Sequence, residues 1–81
     1  MLAPTIHMNG TSRKELQSLN MSAYLTLQAA AATLAKAVPN GRDYYPQGAG
    51  AIVHAMREHR QRLSMLQACI TEIETILESL V

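Results

Sequence analysis

Between Pro39 and Gly50 the chain reads PNGRDYYPQGAG. Arg42, Tyr44 and Tyr45 place a guanidinium and two aromatic rings within four residues, in a chain with three tyrosines and neither Phe nor Trp. A guanidinium fork holds a phosphate or carboxylate through paired hydrogen bonds. A tyrosine ring stacks on a flat base, and its hydroxyl reaches a sugar or phosphate oxygen. Directly afterwards, PQGAGA opens a helix with glycines, which let a ligand approach free N–H groups at the positive end of the helix dipole. These are the parts of a site for an anionic ligand with a planar ring. The same residues also suit a plainer role, in which the tyrosines close a hairpin tip and Arg42 pairs with Asp43. The glycine stretch lacks a lysine–serine ending and follows no strand, so neither the NTPase nor the dinucleotide fingerprint applies.

Other chemistry finds less support. His54 and His59 are five apart and have no third ligand at helical spacing, so no metal site is expected. Cys69 sits among apolar residues without a basic neighbour and reads as packing, not as a nucleophile. Neither paired carboxylates nor a Ser-His-Asp arrangement can be assembled. The expectation is a binding protein, not an enzyme, with no cofactor.

Two helices must position the loop. Residues 1 to 10, with Pro4 and a closing Asn9-Gly10, read as an extended arm ending in a turn. Thr11 or Ser12 can cap the next helix, and Glu15, three residues after Ser12, completes a capping box. Leu16, Ala23, Leu27, Ala30, Leu34 and Ala37 then recur at three- and four-residue steps, interrupted by the polar Asn20. Pro39 ends that helix, and Asn40-Gly41 suits a left-handed turn. In the second helix Ile52, Met56, His59, Leu63, Leu66, Ile70, Ile73, Leu77 and Leu80 alternate four and three apart, four heptads of a two-helix seam. The predicted fold is therefore all-α, one domain over residues 1–81: an arm (1–10), helix one (12–38), a loop (39–47) and helix two (48–81), the helices forming an antiparallel hairpin.

At 81 residues such a hairpin is near the lower size limit for independent stability. Apolar residues also lie off both stripes: Leu19, Tyr24 and Leu25 on helix one, Met65, Cys69 and Ile76 on helix two. They predict a homo-oligomer. The net charge of +1 does not suggest a polymeric nucleic-acid partner. No basic leader with an apolar core and no membrane-length apolar run is visible, and the single cysteine fits a reducing compartment, so the expectation is a soluble cytoplasmic protein.

The order of charges is unusual. Arg13 and Lys14 are expected to approach Glu74 and Glu78 across the hairpin. Toward the loop, Lys36, Arg42, Arg57, Arg60 and Arg62 face only Asp43 and Glu58. Helix two thus carries bases in its first half and Glu72, Glu74 and Glu78 in its last, the reverse of what the helix dipole favours. Two readings fit: a basic tip that serves a ligand, or bases that pair with acids on a neighbouring subunit. Arg57 and Arg60 join the candidate ligand contacts from this charge order.

IHMNGTSRKEL (Ile6 to Leu16) and PNGRDYYPQG (Pro39 to Gly48) together resemble the small helical-hairpin sponge proteins of phages and prophages. These anti-CBASS and anti-Thoeris proteins bind cyclic oligonucleotide or cyclic ADP-ribose signals and withhold them from host immune effectors. The resemblance covers arm, both helices and loop, and it implies a hexamer with pockets between subunits, non-covalent capture and no turnover in the host cytoplasm. Carried onto the matching motifs, it implies that Arg42 holds a phosphate, that Tyr44 or Tyr45 stacks on a base, and that Asn9 and Thr11 contribute from a neighbouring subunit, next to Gly10 and Asp43. Two rivals stand beside it: an interaction module anchored by Tyr44 and Tyr45, and a small structural phage protein whose loop only closes the hairpin.

Overall fold

The computed structural model describes residues 1–81 and is all-helical: α1 (Arg13–Lys36), two short 3-10 turns (Gly41–Asp43 and Tyr45–Gln47) and α2 (Ala51–Ser79). α1 and α2 lie antiparallel in a rod of 61 × 20 × 17 Å. At about 1.5 Å per residue the helices are roughly 36 and 44 Å long, so the termini gather at an open end and the loop forms the tip.

Every position of the predicted α2 seam is shielded, with Ile70 and Leu80 fully buried and His59 only 4% exposed. Ala55, one turn before His59, is the fourth buried residue. On α1 the shielded line runs through Leu16, Asn20, Ala23, Leu27, Ala31 and Leu34. Ala31, not the expected Ala30, faces α2, and Ala37 is exposed. Asn20 sits in this apolar line without an orphaned amide, because its side chain donates to the Leu16 carbonyl at 2.9 Å. Tyr24, expected off the stripe, is half-buried on the edge of the inner face, where its hydroxyl accepts from Gln28 at 2.9 Å.

The open end is closed by backbone chemistry. Ser12 caps α1 by accepting from the Glu15 N–H at 3.1 Å, the first half of the expected capping box; the Glu15 side chain makes no return bond. Across the hairpin, the Arg13 guanidinium and the Gln17 amide both donate to the Leu80 carbonyl, at 2.8 and 3.0 Å. This replaces the expected pairing of Arg13 and Lys14 with Glu74 and Glu78, for which no ion pair forms. A helix's last carbonyls lack intrahelical donors, and a guanidinium that satisfies one of them gains more than it would from an exposed ion pair.

At the tip, α1 stops at Lys36, because the proline ring of Pro39 disfavours helical geometry at Val38 before it. Asn40 then caps a 3-10 turn with its side-chain oxygen, accepting from the Arg42 N–H at 3.0 Å. Asn40 and Gly41 therefore do not form the predicted left-handed turn; the chain's one positive φ, +112°, belongs to Gly48. That conformation disfavours any side chain, and it sets the start of α2 at Ala51, three residues later than expected. In the arm, the His7 ring lies where a Cβ at Gly10 would sit, 2.8 Å away, and the Gly10 N–H donates to the His7 carbonyl at 3.2 Å.

Candidate functional site

The tip holds an open cleft of about 390 Å³. Tyr44 and Gln47 enter it from the loop, Gly50 and Ala51 from the start of α2, and His54, Ala55 and Glu58 from its first two turns. The sequence produces this wall by helical spacing: residues 51, 54, 55 and 58 share one side of α2. Ala51 and Ala55 keep the floor low, and the half-buried Tyr44 ring stands at its edge.

The cleft meets an uncapped helix end. Gly50, the N-cap residue, offers no side chain, and the first turn of α2 contains no acid. The Ala51 N–H finds the Gly48 carbonyl and the His54 N–H the Gly50 carbonyl, both at 3.2 Å, but the Ile52 and Val53 N–H groups have no acceptor. Such donors, at the positive end of a dipole, favour a bound anion. Opposite them, the Glu58 carboxylate lies 3.4 Å from the His54 imidazole and 4.0 Å from the Arg62 guanidinium. The cleft is therefore mixed: aromatic at one edge, donor-rich at the helix start, and carboxylate–imidazole at its inner end.

Arg42 lies on the turn before Tyr44, exposed, and its guanidinium forms no ion pair or hydrogen bond. The alternative pairing with Asp43 does not form. Tyr45 is 75% exposed and points away from the cleft lining. Arg57 and Arg60 are exposed on α2 outside the cleft. At about 100° per residue, Arg57 stands about 110° from the centre of the cleft wall and Arg60 nearly opposite it. The structure thus brings Arg42, Tyr44 and Tyr45 to one tip and leaves the two α2 arginines on another side.

Asn9 and Thr11 are exposed at the other end of the rod. The whole length of α1, roughly 36 Å, separates Thr11 from the loop, so the arm motif and the loop motif cannot meet within one chain. Sequence reasoning missed Gln47, His54, Ala55 and Glu58 as cleft residues. The signal was available: His54 and Glu58 are four apart, and both follow Ala51 at helical steps.

A second groove, of about 440 Å³, lies at the open end between Gln17, Met21, Leu77, Glu78 and Val81 and contains none of the predicted site residues. No three His, Cys, Asp or Glu side chains come together as a metal-binding group, and neither helix is long and apolar enough to cross a membrane. Comparison of the chain with protein-family models, curated proteins and solved structures finds no match.

Proposed function

We propose that this protein captures a cyclic nucleotide signal, a cyclic oligonucleotide or a cyclic ADP-ribose type molecule, by stoichiometric non-covalent binding, as a homo-oligomeric phage-type immune-evasion protein. The observation that carries the reading is the set of unmet groups at the tip: an unpaired Arg42 guanidinium, an aromatic edge at Tyr44 and two free N–H groups at the start of α2. A base on the ring and a phosphate on the donors would use all of them, and a charge-assisted hydrogen bond to phosphate is the strongest kind available at such a surface. Resemblance in the arm and loop motifs points to the same ligand class. Binding alone suffices for the function, because a sponge in excess lowers the free signal without any bond being broken.

The arm supports a shared site. Asn9 and Thr11 can contribute to the tip only from a neighbouring copy, since one chain holds them a helix length apart. The rival reading, a protein-docking module, draws on the outward-facing Tyr45 ring, a residue type common among interface anchors.

Native mass spectra of the protein with a panel of cyclic dinucleotides, cyclic trinucleotides and cyclic ADP-ribose isomers test the proposal. One class is expected to remain bound and unchanged. Replacing Arg42→Ala should weaken that binding roughly 10- to 150-fold, the worth of one hydrogen bond to a charged group, with the oligomer intact. An assembly that ignores the whole panel overturns the nucleotide reading and leaves the docking module.

A further inference from the structure

α2 carries a second seam at right angles to the first. Glu58, Arg62, Met65, Cys69, Glu72 and Ile76 alternate four and three apart, as heptad positions do. They are turned about 90° from the line that packs on α1. Met65 is 66% exposed, and Cys69 and Glu72 are exposed. On the same side of the hairpin, α1 presents Leu19, Ala23, Thr26, Ala30, Thr33 and Ala37, again four and three apart. Apart from Leu19, 61% exposed, all are small. Small side chains let helices approach closely.

The exposed area fits an occupant of subunit size. The chain exposes 6036 Å², whereas a compact protein of 8.9 kDa exposes about 4,800 Å². The excess, roughly 1,200 Å², is what a stable interface removes from each partner, for which roughly 800 Å² is standard.

We infer that a second copy of this chain covers this face, the two hairpins stacking antiparallel so that α2 pairs with α2 and α1 with α1 about a two-fold axis. The charges select that direction. With Met65 level with Cys69 of the second copy, Arg62 falls level with its Glu72, and the two-fold repeats both pairs. Parallel stacking would set the basic first half of α2 against another basic half. The reversed charge order that opposes the helix dipole thus acquires a cause: it is complementary between copies.

This register also sets Ala51, at the floor of the tip cleft, level with the residues around Thr11 of the second copy, which brings that copy's arm to a cleft it cannot reach in its own chain. The inference rests on the self-association in the proposed function and gives it a surface; it does not depend on which ligand the tip holds.

Sedimentation equilibrium without ligand tests it through a charge exchange. Arg62→Glu, and separately Glu72→Arg, should raise the dissociation constant of the two-fold pair roughly a hundredfold, because each creates two like-charge contacts. The double variant should return it close to the original value, with helix content unchanged throughout. Single variants that leave the assembly intact, or a double variant that stays dissociated while remaining helical, overturn this surface; the ligand panel on the unaltered protein then still decides the sponge reading by itself. Oxidation of Met65→Cys supplies a check free of charge effects. A covalent dimer through Cys69 of the second copy, abolished by Cys69→Ser, supports the register, and its absence overturns it.

Discussion

The two ends of the rod are built on opposite terms. At the open end Ser12 caps α1, the Leu80 carbonyl takes two hydrogen bonds from α1, and the Leu80 side chain is fully buried. At the tip α2 begins uncapped, two N–H groups lack acceptors, and Arg42 and Tyr45 stand in solvent without partners. The half of α2 nearer the tip also contains the one buried side-chain atom without a hydrogen bond, His59 Nε2. Secondary structure alone would not produce this asymmetry, since both ends are formed by the same two helices. One end has its polar groups satisfied internally and holds the hairpin together. The other keeps them available, which is how a region that must exchange contacts with a ligand differs from one that must not.

The contrast can be broken most forcefully at Leu80. Replacing Leu80→Ala removes a fully buried side chain beside the clasp, and thermal melting at fixed protein concentration should show a loss of about 2–5 kcal/mol. Ligand retention per folded subunit should be unchanged. Next in size, and opposite in sign, His59→Leu removes a buried nitrogen that has no partner while keeping an apolar group of similar volume in the seam. A gain of about 1–2 kcal/mol is expected by the same measurement, the order of the desolvation penalty of one unpaired polar group; a loss would mean that the imidazole is held by a bond the assembled protein supplies. The smallest effect on stability belongs to Arg42→Ala, within about 0.5 kcal/mol because the side chain touches nothing. Its consequence is confined to ligand binding, which sharpens the division between the ends.

The α2 seam was readable because an unbroken four–three alternation has only one structural meaning, and all nine positions lie inward or half-inward. α1 was less so. In the run Ala29 to Ala32 every residue is identical, and an alanine carries no signal of which way it faces, so Ala30 was chosen where Ala31 packs. The clasp could not be foreseen from charges, because its acceptor is a backbone carbonyl and every residue has one. The start of α2 was placed early because PQGAG contains several residues able to open a helix, and only the backbone shows that Gly48 takes the left-handed geometry. Of the candidate site, the loop residues stand together as their adjacency demanded. Arg57 and Arg60 do not, because net charge along a segment says nothing about which side of a helix bears it.

The clasp on Leu80 has a kinetic consequence. It joins residues 67 apart in the chain, a closure costing roughly 4 kcal/mol of chain entropy if made first. Made last, after α1 and α2 have zipped upward from the tip, it closes only the final turn. Folding should therefore run from the loop toward the termini, and brief openings should run the other way. Native-state hydrogen exchange would then show amides around Arg13–Gln17 and Leu77–Leu80 opening together and ahead of the helix middles; exchange that begins at the loop-proximal turns would reverse that order. In this hairpin the most tightly packed residue is the last to arrive and the first to leave.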